Sequence, residues 1–194
     1  MPKYYVDNFG VSLTTAGLLT ATFIFPASLL RPLGGWMSDR WGARRVMYLT
    51  LGIMLLTSGM LTMPNGHITV VHPDGSESDH LFYHISLPVF VILVFVLGCA
   101  MGFGKAAVYK HIPDYFPDNM GSVGGLVGML GGLGGFILPP LFAYTKAWSG
   151  FPSSTFFCIF VLVAISFLWM HITVYRMLHT AAPELSREIE KRDA

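Results

Sequence analysis

Arg31 is the residue in this sequence best placed to do chemistry. The run from Phe9 to Leu30 carries no ionisable side chain, and the next charge after Arg31 is Asp39. At about 1.5 Å of helix rise per residue, Arg31 lies roughly 12 Å inside the charged loop that follows. That depth is poorly suited to snorkelling back to water. A charge held there costs on the order of 3 kcal/mol or more, so it normally faces a polar cavity or a partner and marks an ion or substrate path. A guanidinium also presents a planar fork of donors that suits a small planar oxyanion.

A second reactive group follows at once. Gly35-Trp36-Met37-Ser38-Asp39-Arg40-Trp41-Gly42-Ala43-Arg44-Arg45 has the pattern G-x-x-x-D-R-x-G-x-R-R between two apolar segments. Asp39 at a helix end can accept from backbone amides and pair with arginine, and a tight turn at Gly42 brings Arg44 and Arg45 beside it. Gly35, Asp39, Arg40, Gly42, Arg44 and Arg45 therefore read as a conformational latch that binds one helix bundle to another and opens when they rock. The plainer alternative is a basic loop that only sets topology.

A third group is made of backbone. Gly121, Gly124, Gly125, Gly128, Gly131, Gly132, Gly134 and Gly135 crowd into fifteen residues before Pro139-Pro140. Their overlapping small-xxx-small pairs permit close helix packing. They also leave backbone amides open to an anion and allow bending, which makes Gly128, Gly131 and Gly132 candidate lining for a substrate path. Pro139-Pro140 is expected to break or kink the helix.

Other potential ligands are weaker. His67, His72, His80 and His84 share a loop with Asp74, Glu77 and Asp79. Their spacing matches no HxxxH or HExxH pattern, and Pro73-Asp74-Gly75 reads as a solvated turn, so no metal is expected. Cys99 and Cys158 lie in apolar spans and read as small buried hydrophobes. A haem would need two imidazoles facing each other in the bilayer, and only His171 lies within a span. No cofactor is expected.

The elements that hold these residues follow from hydropathy. The chain of 194 residues is 53% hydrophobic and 12% charged, about half the charged fraction of a soluble domain. Five blocks almost free of charge approach or reach the roughly 18–25 residues that cross a hydrocarbon core. They predict spans over residues 9–36, 46–64, 85–110, 121–145 and 148–177 of an all-α polytopic membrane protein. The bundle takes residues 1–180, with a tail over 181–194. A soluble enzyme is excluded, and the partner is the lipid bilayer, not nucleic acid.

Arg40, Arg44 and Arg45 follow the first span, Lys105 and Lys110 the third, and Arg176, Arg187, Lys191 and Arg192 the fifth. Lys3 and Lys146 stand opposite. The positive-inside rule then puts the amino terminus outside and the tail in the cytoplasm. An odd number of spans with an external start, and no signal peptide in residues 1–10, suggests the carboxyl-terminal part of a longer transporter. Missing amino-terminal helices or a separate half would be its partner.

The Asp39–Arg45 loop resembles the signature cytoplasmic loop of the major facilitator superfamily, in the position between helices eight and nine of twelve. Ala27-Ser28-Leu29-Leu30-Arg31-Pro32-Leu33-Gly34-Gly35-Trp36, Gly102-Phe103-Gly104-Lys105-Ala106-Ala107-Val108-Tyr109 and the glycine run from Gly124 to Pro140 are similar to the nitrate/nitrite porter family. The resemblance covers nearly the whole chain as helices eight to twelve. It implies a partial superfamily fold in a bacterial inner membrane, moving nitrate or nitrite by alternating access, with nitrate uptake for assimilation as the expected direction. It also implies that Arg31 is one of a pair of anion-clamping arginines and that an aromatic residue, Tyr109 or the nearby Phe103, closes the site. Lys105 resembles the proton-coupled subgroup, yet no Asp or Glu lies within a span to carry a proton. Five helices offer one side of a two-sided site, so the chain alone is not expected to transport. A superfamily transporter of another small solute or anion is the alternative.

Overall fold

The computed structural model describes residues 1–63, 66–71, 77–83 and 85–176. The expected tail over 181–194 and His72, Asp74 and His84 of the loop lie outside these residues. Helices α1 (Pro2–Phe9), α2 (Leu13–Leu29), α3 (Arg31–Trp41) and α4 (Ala43–Thr62) come first. Strands β1 (Gly66–Val71) and β2 (Glu77–Tyr83) follow, then α5 (Leu87–Tyr115), α6 (Met120–Ser149) and α7 (Ser154–Arg176).

Four helices are long and apolar enough to cross a membrane, and α2 with α3 makes a fifth as one broken span. The membrane-embedded, largely helical architecture expected from hydropathy is therefore present. Its first span is not straight: α2 and α3 meet at a 43° bend. Pro26 lies inside α2, and Pro32 in the first turn of α3. Neither offers an N–H, so each removes a rung of the helix ladder on one side of Leu30. Disfavour of helical geometry just before a proline falls on Arg31 itself.

Three further prolines lie inside helices, and the break expected at Pro139-Pro140 is absent. Pro113 lies inside α5, which continues through it to Tyr115 and stops before Pro117. Pro139 and Pro140 lie within α6, which continues as helix to Ser149. Since bilayer hydrocarbon solvates no backbone, helical bonding around a proline is worth keeping even with one rung missing. The segment between α4 and α5 is not only a loop. β1 and β2 pair antiparallel, with Ile68 opposite His80 and Val70 opposite Ser78.

The centre of the bundle is α5, packed against α2, α3 and α4. Close approach depends on absent side chains. A Cβ on Gly98 would lie 2.6 Å from the Phe23 carbonyl oxygen, and one on Gly102 would lie 3.0 Å from that of Ala27. Gly34 of α3 repeats the contact from the other side, 2.8 Å from the Phe103 Cα. At the end of α5 nearer the hairpin, Tyr5, Phe90 and Phe156 are buried together. Tyr4 stacks on Phe90 with ring centroids 5.0 Å apart, an offset geometry favoured by aromatic quadrupoles.

In α6 the situation is reversed. None of its residues is buried, and Gly121, Gly125, Gly131, Gly132, Gly134 and Gly135 meet nothing within 4 Å of an added Cβ. Close packing against described residues does not explain these glycines. Gly98→Ala should therefore destabilise the bundle by about 1–3 kcal/mol through overpacking, whereas Gly131→Ala should not. Melting temperatures of the two variants in one detergent check this.

Candidate functional site

Arg31 opens α3 at the bend. Its side chain is exposed, and among the described residues it has no ion pair. Pro32 follows immediately, so the fork is carried on backbone with restricted φ. The parallel register of α2 and α3 on α5 runs from Phe23 beside Gly98, through Pro26 and Ala27 beside Gly102, to Gly34 beside Phe103 and Ala106. Arg31 is thus level with the stretch from Gly102 to Ala106.

Tyr109 lies between one and two turns further along α5, roughly 5–10 Å by helix rise. Phe103, the alternative aromatic, is at the height of Arg31 itself. Tyr109 instead meets α6: a Cβ on Gly128 would lie 3.4 Å from its hydroxyl. Gly124, one turn earlier, faces the Ile112 Cδ1 at 3.8 Å in the same sense. Of the predicted lining, Tyr109 and Gly128 are brought together. Gly131 and Gly132 continue along α6 without a neighbour within 4 Å of an added Cβ.

The latch residues divide between α3 and α4, with Gly42 at the join. Gly42 links α3 to α4 with φ of +86°, a backbone region that a Cβ strongly disfavours. Gly35 meets nothing within 4 Å of an added Cβ. Asp39 makes an ion pair with Lys110 of α5, Oδ1 to Nζ 2.5 Å. Lys110 stands outside the basic group that the loop pattern singled out. Arg40 lies over the Trp36 ring at 5.6 Å, a cation–π contact. The Arg44 Nε is buried without a hydrogen-bond partner among the described residues.

A second ion pair ties α1 to α6, with the Lys146 Nζ 3.0 Å from the Asp7 Oδ2. Near α1 a cavity of about 140 Å³ opens among Tyr4, Asn8, Phe90 and Ser153. None of the predicted site residues lines it. In the sequence Lys146 marks only the side opposite the basic loops, and nothing there pairs it with Asp7, so far away along the chain.

A membrane-embedded chain with a broken first span, a D-R-x-G-x-R-R turn and a glycine-rich helix has the elements of a solute carrier. The Major Facilitator Superfamily profile matches residues 1–193, and the chain belongs to that superfamily. The probable nitrate/nitrite antiporter NarK1 of Thermus thermophilus is 60% identical over 190 residues, 98% of this chain and 43% of that protein. The probable nitrate transporter NarT of Staphylococcus haemolyticus is 29% identical over 170 residues, 88% of this chain and 39% of its own length. The chain therefore spans about two-fifths of the length of these relatives. The family resemblance read from Arg31, the latch loop and the glycine run is borne out. No solved structure matches.

The Asp39–Lys110 pair is half-exposed, with side-chain accessibilities of 59% and 43%. Screened pairs of this kind contribute little. A double-mutant cycle of Asp39→Asn and Lys110→Gln should give a coupling of about 0.2–1 kcal/mol, read from unfolding in detergent. A larger value would make the pair a structural tie.

Proposed function

We propose that this chain forms part of a nitrate/nitrite transporter that works by alternating access, and that Arg31 is its anion-binding residue. The carrying observation is an exposed guanidinium, without an ion pair among the described residues, at the break of an otherwise uncharged span. Position adds to charge. Arg31 is the first residue of α3, where the helix dipole is positive, so a cation there is repelled by about 0.3–1 kcal/mol. An anion held at the break relieves that repulsion and uses the fork's donors at once.

The names of the relatives support nitrate and nitrite as the substrates. The 60% identical relative is called an antiporter, which favours exchange of the two anions over the nitrate uptake expected from Lys105. The aromatic beside the anion is Phe103 on grounds of height, or Tyr109 if the guanidinium extends along α5. Gly128, Gly131 and Gly132 line and flex the opposite wall. Gly35, Asp39, Arg40, Gly42, Arg44 and Arg45, with Lys110 as the partner of Asp39, bias one conformation. The basic end faces the cytoplasm of a bacterial cell, which leaves the Asp7–Lys146 pair on the outer side. The remaining helices of a full-length transporter supply the other half of the site.

The test joins this chain to the rest of the Thermus thermophilus relative and measures nitrate uptake by cells. Arg31→Lys keeps the charge and loses the fork, and should lower uptake roughly ten- to hundredfold, the worth of one to two charge-assisted hydrogen bonds. Membrane levels should be unchanged. Uptake within twofold of the unsubstituted fusion would remove Arg31 from the site.

A further inference from the structure

Helices α4 and α7 pack antiparallel along a seam with no part in the anion path proposed above. At one end, Phe160 lies 3.3 Å from the position of a Cβ on Gly59. At the other, the Tyr48 hydroxyl and the His171 Nδ1 are hydrogen-bonded at 3.2 Å. The Phe167 ring stands edge-on to Tyr48 at 5.7 Å. These contacts define one register. Continued by one turn, it sets Arg44 level with Tyr175 and Ala43 level with Arg176.

Helix periodicity gathers the polar side chains there. Arg44 and Arg45 precede Tyr48 by four and three residues, and Tyr175 follows His171 by four, so each shares a face with its neighbour. Arg45, His171, Tyr175 and Arg176 are all exposed. Neither α4 nor α7 contains an Asp or Glu. Leu49, Leu168, Trp169 and Ile172 around the group are exposed and apolar, Trp169 at 74%. The arrangement is a cationic cluster beside two phenol rings, at the end of two membrane helices and bordered by an indole of the kind found at the lipid–water boundary.

We propose that this end of the α4–α7 seam binds the phosphate headgroup of an anionic phospholipid. Arginine forks bond phosphate oxygens bidentately, and the apolar residues beside them accept the acyl chains. Basic groups between helix ends are recognised ligands for such headgroups. Placing this lipid in the cytoplasmic leaflet rests on the orientation given under the proposed function; the binding itself does not.

The experiment is native mass spectrometry of the purified chain after exchange into detergent containing equal phosphatidylglycerol and phosphatidylcholine. The chain should retain phosphatidylglycerol in preference. The double variant Arg45→Gln with Arg176→Gln should retain it about 25-fold less well, at about fivefold for each arginine. Lys105→Gln, which removes a cation from another helix, should retain it as the unsubstituted chain does. Circular dichroism establishes that the helices are intact in each sample. Equal retention of the two lipids, or an equal loss in Lys105→Gln, would overturn the proposal. Because no transport is measured, the result stands apart from the fate of Arg31.

Discussion

The fold rests on the backbone-to-backbone approach of α2 and α3 to α5. In lipid, apolar side chains gain little by leaving one hydrocarbon for another, so helices associate through dispersion and short polar contacts. Gly98, Gly102 and Gly34 bring the helices close enough for those contacts to accumulate. The same approach fixes a bent pair of helices against a long straight one. The position of Arg31 relative to Phe103 follows from that register and not from any bond that Arg31 makes.

A bend at Arg31 also reconciles two requirements that conflict in a straight span. An uninterrupted helix satisfies its own amides and leaves nothing to offer a solute. A fully unwound segment would expose carbonyls to hydrocarbon. The 43° bend between Pro26 and Pro32 keeps both flanking helices bonded and starts a new helix at the arginine. The charge and the first amides of α3 then serve one locality.

Much of this was legible in the chain. The charge-free blocks locate the membrane helices because hydrocarbon permits so few alternatives. Arg31 and the D-R-x-G-x-R-R turn stand out because charges there need a reason. The rest was hidden where local signals compete with packing. Gly98 and Gly102 form an ordinary small-xxx-small pair, overshadowed by the denser run in α6, yet these two make the tight seam. Pro139 and Pro140 read as a break or kink, but hydrocarbon solvates no backbone and α6 stays helical through them. The β1–β2 pairing was masked by histidines and carboxylates, although Ile68, Val70, Leu81 and Tyr83 carry a two-residue alternation. Asp39 with Lys110, and Asp7 with Lys146, pair across distances that no local pattern spans.

The manner in which α6 is held has a mechanical consequence. Ile112 and Tyr109 lie near Gly124 and Gly128 in its first half, and Asp7 and Cys158 near Lys146 and Thr145 towards its other end. Between them, Gly131, Gly132, Gly134 and Gly135 have empty space beside them, and Pro139 and Pro140 offer no N–H to the carbonyls of Gly135 and Phe136. The helix behaves as a beam on two supports that is thinnest at midspan. A sideways load at the centre would bow it while its ends keep their register.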